Sequence, residues 1–187
     1  KIELGTNSDI SFRDRKDATA HRRDLYQFIV QCPVLTGSSM ALSRCALIVA
    51  AGKSGYGVKP MPENTAMGIA SVASQERGSP SWTAVVAEVH VDPSSGEPTL
   101  KKITVAMDVG TAVNPDGVRK QIEGSALYGI SLALYEKLTM KNGSIEQSNF
   151  DSWTPMRLNQ VPEIETVLIE NGHYPAGTGE PATTVVA

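Results

Sequence analysis

The spacing of apolar residues changes along the chain, and each change marks an expected element. Residues 1–24 are polar and charged, including SFRDRKDATAHRRD, and read as a solvated arm. Apolar residues take over from Leu25 to Ile29 and again from Met40 to Ala51. Ser38–Ala51 (SSMALSRCALIVAA) joins a Ser cap to an Ala- and Leu-rich run, which predicts a helix. Gly55, Gly57, Pro60 and Pro62 then make 52–64 a loop.

From Met67 the pattern becomes that of strands. MGIASVAS is small and β-tolerant. In Trp82–Val91, Ala84, Val86, Glu88 and His90 share one face, and Val85, Ala87, Val89 and Val91 the other. Asp92–Pro98 (DPSSGEP) has turn composition, and Thr99–Val109 returns, so the two runs form a long β-hairpin. Asn114-Pro115-Asp116 supplies a cap, a first-turn proline and an acid at the positive end of the dipole. A helix is predicted from there to about Lys137, with Val118, Ile122, Ala126 and Ile130 on one stripe. Past Ser125 it is apolar nearly all round, which predicts burial between layers.

Gly124 and Gly129 within this helix each cost about 1 kcal/mol relative to Ala, and point to close approach of a backbone or ligand, or to tight packing. Leu138–Met140 and Lys141–Gly143 read as a strand and an Asn-Gly turn, with 144–153 continuing extended. Pro162–Glu170 is the last strand. The predicted fold class is α+β: a mixed sheet with a long β-hairpin and a buried helix packed on it. Residues 1–65 form an arm, helix and loop, and 66–187 the domain proper.

Composition narrows the chemistry. With 187 residues, 41% hydrophobic and 20% charged, the chain can bury a core. A net charge of −3 and the absence of a Lys/Arg block argue against nucleic acid as a partner. No apolar run approaches the roughly 20 residues of a membrane span. Cys32 and Cys45 cannot make a zinc or iron–sulfur site alone; free or buried thiols are expected, with a disulfide as the alternative. His21, His90 and His173 form no closely spaced pair, so no metal ligand is assigned. The start at Lys1 and the apolar end Val185-Val186-Ala187 read as a piece of something longer.

Gly177–Thr184 (GTGEPATT) lacks the Gly-Lys-Ser/Thr of a phosphate loop, GYG at 55–57 does not complete a dinucleotide fingerprint, and no GxSxG elbow occurs. Within GTGEPATT, glycines let the backbone come close to a ligand, and Pro181 fixes the turn behind Glu180. A carboxylate so held can serve as a base. Spacing alone leaves it a surface turn residue.

Three motifs in order, VNPDGVRKQIEG, EQSNFDSW and GTGEP, resemble the C-terminal part of the molybdopterin-binding subunit of the xanthine oxidase/aldehyde oxidase family. The branch resembled is that of isoquinoline 1-oxidoreductase β-subunits and related bacterial aldehyde dehydrogenases, over roughly Ala66 to Ala187. The resemblance implies oxidation of an aldehyde, or hydroxylation of an N-heteroaromatic carbon, with water as the oxygen source. It implies a molybdenum–molybdopterin cofactor, in the cytosine dinucleotide form. Glu180 falls at the family's catalytic base, Gln121 at its pterin-binding glutamine, and Gly177 and Gly179 where main chain approaches the cofactor.

The implied partners are the remainder of the molybdenum subunit, a small iron–sulfur subunit, a cytochrome c subunit and a small-molecule substrate. The family also implies a bacterial periplasmic setting, with the cytoplasm left open. This chain lacks the family's other cofactor segments, is expected to be inactive alone, and is expected to lack the helix that follows GEP. A non-catalytic structural or assembly module that kept the pattern is the alternative.

Overall fold

The computed structural model describes residues 39–76 and 79–186. The expected arm, Leu25–Ile29, His21 and Cys32 lie outside the described residues. A first helix, α1 (Ser39–Ser54), precedes strands β1 (Thr65–Glu76), β2 (Ser79–Val91) and β3 (Pro98–Gly110). Helix α2 (Pro115–Leu134) follows, then the two-residue strands β4 (Met140–Lys141) and β5 (Ser144–Ile145). Strand β6 (Glu163–Glu170) and a short helix, α3 (Pro181–Val186), complete the order.

The main sheet runs β1-β2-β3-β6. β2 is antiparallel to β1 and to β3, with Val85 opposite Val105 and Trp82 opposite Asp108. β6 lies parallel to β3, from Lys102↔Glu163 to Asp108↔Ile169. Parallel neighbours need a crossover, and α2 with the segment after it provides one. The sheet is therefore mixed and the fold α+β, with the hairpin at its centre.

Helices cover both faces, so Ile103–Gly110 are buried without interruption. On one side, Val85, Ile103, Val105, Met107 and Val109 meet Ile122, Ala126 and Ile130 of α2 and Ala182 and Val185 of α3. On the other, Ala46 and Ala50 of α1 pack on Met67, Ala84, Val86 and Ala106. The alternation predicted for β2 thus separates Ala84 and Val86 from Val85.

Several expectations are corrected. α1 continues to Ser54 and ends at Gly55 (φ +72°), where the Tyr56 N–H donates to Ala51 O at 2.9 Å in a Schellman cap. Of the stripe on α2, Ile122, Ala126 and Ile130 are buried as expected and Val118 is half-buried, but the helix stops at Leu134, and Tyr128 (51% exposed), Leu132 (40%) and Leu134 (45%) face outward. It packs on one layer and is not enclosed between two. The stretch after β5 does not stay extended: Asn149 O accepts from Ser152 N and Trp153 N, a turn suited to the Asn-Phe-Asp-Ser sequence.

GEP is followed by a helix after all, because Pro181 opens α3 and Ala182 and Val185 bury against the core. Cys45 is disulfide-bonded, and no described cysteine is free, contrary to the free-thiol expectation. Redox setting decides between the two states of a cysteine pair, and residue spacing does not report it.

Candidate functional site

Two segments leave the same end of the sheet, because β3 and β6 run parallel. After Gly110 the chain passes through Asn114 into α2. Asn114 Oδ1 accepts from Gly117 N at 3.0 Å, Pro115 fills the first turn, and Arg119 pairs with Asp116 at 3.1 Å. These contacts satisfy an otherwise unpaired amide at the helix start and fix where α2 begins. After Glu170 the chain runs from Asn171 to Glu180 and into α3.

The second segment is tied down at both ends. At its start, Asn171 N donates to Gly110 O (3.1 Å) and Ala176 N to Val109 O (3.0 Å). Thr111 Oγ1 donates to His173 O at 2.7 Å. Gly110 takes φ +67°, and a Cβ there would lie 2.3 Å from Tyr174 O, so glycine is required on both counts. At its far end, Gln121 Nε2 donates to Gly179 O at 3.1 Å. Thr183 Oγ1 donates to Ser125 O at 3.0 Å.

The expected close approach at Gly129 is present, since a Cβ there would lie 2.6 Å from Thr183 O. At Gly124 it is not: nothing lies within 4 Å, and the residue faces outward. Gln121, Gly179 and Glu180 therefore gather along one edge where α2 meets the start of α3. Gln121 and Glu180 are exposed; Gly177 and Gly179 are half-buried in the same loop. Glu123 pairs with Lys120 at 2.7 Å on the helix surface.

The donor set bears on what can bind. Among the described residues, no three His, Cys, Asp or Glu side chains are gathered to hold a metal ion. The edge instead offers an amide, peptide groups of a glycine-rich loop and a carboxylate. Such groups suit a planar hydrogen-bonding heterocycle. Gln121 uses its amide N–H on Gly179 O, and the carbonyl oxygen of the same side chain is an acceptor. The residues present fit a pterin.

A buried carboxylate and its half-buried amide partner escaped the reading of the sequence. Asp108 is 1% exposed, and its carboxylate accepts from Gly110 N (3.1 Å) and from Asn171 Nδ2 at both oxygens (2.9 and 3.0 Å). The available signal was an acid set inside an otherwise apolar strand, TVAMDVG.

Comparison with known proteins adds an independent line. Residues 48–162 match the model of the molybdopterin cofactor-binding domain, a stretch that includes Gln121 and ends before GTGEP. A relative named membrane-bound aldehyde dehydrogenase [pyrroloquinoline-quinone], from Gluconacetobacter polyoxogenes, is 44% identical over 134 residues, covering 72% of this chain and 17% of the relative. Isoquinoline 1-oxidoreductase subunit beta of Brevundimonas diminuta is 36% identical over 97 residues, covering 52% of this chain and 12% of that protein. The chain thus spans under a fifth of the length of either. Among solved structures, aldehyde oxidoreductase from Desulfovibrio gigas shares the fold over 57% of this chain and 12% of its own, with a TM-score of 0.50 and 24% identity.

Proposed function

This chain belongs to the molybdopterin cofactor-binding family of xanthine oxidase-type molybdenum hydroxylases, and on that premise we propose that it is the part of such an enzyme that carries the catalytic base. The proposed reaction is oxidation of an aldehyde to the acid, or hydroxylation of a carbon beside a ring nitrogen, with water as the oxygen source. The observation that carries this reading is the hydrogen bond from Gln121 Nε2 to Gly179 O. It supports one site because it joins the helix start expected to hold the pterin to the loop expected to hold the base.

The molybdenum–pterin group, in the cytosine dinucleotide form, supplies the two-electron redox centre when bound. The chain supplies the rest. Gln121, fixed on the first turns of α2, presents an amide edge that orients the ring. Gly177 and Gly179 bring main chain close without a side chain in the way. Glu180 takes up the proton released as oxygen from water is added to the substrate carbon, the work of a general base. Its backbone is held by Thr183 N donating to Glu180 O at 3.2 Å and by the buried Pro181 and Ala182 behind it.

The remainder of the molybdenum subunit completes the pocket and selects the substrate. A small iron–sulfur subunit and a cytochrome c subunit take the electrons onward, since this chain has only two cysteines.

Anaerobic turnover tests the reaction. The full-length protein with its partner subunits is given an artificial electron acceptor and either an aliphatic aldehyde or isoquinoline, with dioxygen excluded. The expected result is acceptor reduction with one of the two substrates, which also fixes the substrate class. A strict requirement for dioxygen would contradict water as the source.

A further inference from the structure

We propose that Asp108 and Asn171 are positioning residues that set the place of Glu180, an inference that rests on the base role proposed above. Among the described residues Asp108 is the only fully buried charged side chain. Burying a carboxylate is costly unless hydrogen bonds replace its water. Here two of its three bonds come from Asn171, the first residue past β6, at 2.9 and 3.0 Å.

The other end of the same amide continues the chain of contacts. Asn171 Oδ1 accepts from His173 N at 2.9 Å and so turns the segment that leads to Gly177–Glu180. The β3–β6 register shifts between Asp108 and Gly110, which lets Asn171 N reach Gly110 O at 3.1 Å. A residue needed only to close the sheet would be served by an apolar side chain, as Ala106 is on the same strand and face. Asp108 instead grips the loop. With Gln121 at the far end, the segment carrying Glu180 is held at two points.

The test uses the full-length enzyme with its partners. Asn171→Ala is expected to lower kcat about 10- to 100-fold, with KM within about twofold and cofactor content unchanged, because a small misplacement of a reacting group is enough. In both the cofactor-loaded and cofactor-free protein, amides of 171–180 are expected to exchange hydrogen about tenfold faster, while β2 and β3 keep their protection. The double swap Asp108→Asn with Asn171→Asp reverses the donor across the pair, keeps acceptors for Gly110 N and His173 N, gives up one of the two contacts between the side chains, and is expected to recover part of the kcat and exchange protection lost in Asn171→Ala.

Failure of the swap to recover either, or normal kcat and exchange in Asn171→Ala, overturns the positioning role. Should Asn171→Ala not fold, Asn171→Ser decides, since it removes the amide donated to Asp108 and keeps a small polar side chain: faster exchange of 171–180 with lower kcat supports the role, and no change in either overturns it. Glu180→Gln run in parallel separates the two ideas. If Glu180→Gln keeps normal turnover, the base reading fails; if it is inactive while Asn171→Ala is normal, only the positioning role fails.

Discussion

Glu180→Gln in the full-length enzyme is expected to lower kcat by about 10²- to 10⁴-fold, the contribution of a general base, with the cofactor still bound. Glutamine keeps the length and planarity of the side chain and removes only its ability to take a proton. Glu180 is exposed, and its backbone carbonyl, which accepts from Thr183 N, is unchanged by the substitution. The anchors of α3, Ala182 and Val185, lie beyond it in the core. Steady-state kinetics with metal analysis of the same sample checks the prediction. Normal turnover removes Glu180 from the base role.

The second large effect is on stability. Gly110→Ala combines two penalties at one position. The backbone sits at φ +67°, where a Cβ costs about 1–2 kcal/mol. That Cβ would also lie 2.3 Å from Tyr174 O and 3.1 Å from His173 O, both backbone atoms that cannot rotate away. Overpacking of this kind costs a further 1–3 kcal/mol or so, giving a total of about 2–5 kcal/mol. Gly124→Ala is the matched control, because nothing lies within 4 Å of a Cβ there. In that helix it is expected to be neutral or stabilising by up to about 1 kcal/mol. Thermal unfolding of the full-length protein should separate the two variants, and equal midpoints would contradict the clash at Gly110.

What the sequence disclosed follows from which interactions are local. The β2–β3 hairpin could be read because its alternation and its DPSSGEP turn are contained in one stretch. The start of α2 could be read because Asn114, Pro115 and Asp116 act within a single turn. The parallel docking of β6 beside β3 could not, since it depends on a crossover and on pairs such as Lys102↔Glu163 far apart in the chain. The openness of Tyr128, Leu132 and Leu134 was also hidden: an all-round apolar helix does not say which side a sheet will cover.

For the site, composition and spacing made Glu180 a turn residue and nothing more. Resemblance to a family raised both Glu180 and Gln121. The contact between Gln121 and Gly179, which are 58 positions apart, belongs to tertiary structure. Asp108 and Asn171 went unnoticed for the same reason, being 63 positions apart.

The central claim is that this chain helps hold a molybdenum–pterin group, and the cofactor content of the purified full-length protein tests it most directly. The matched domain model is named for molybdopterin, whereas one relative is named for pyrroloquinoline quinone, so the two cofactors are the outcomes to separate. Elemental analysis together with mass spectrometry of the extracted cofactor should give stoichiometric molybdenum and a pterin bearing a cytosine nucleotide. Active protein with extractable pyrroloquinoline quinone and no molybdenum would contradict the account.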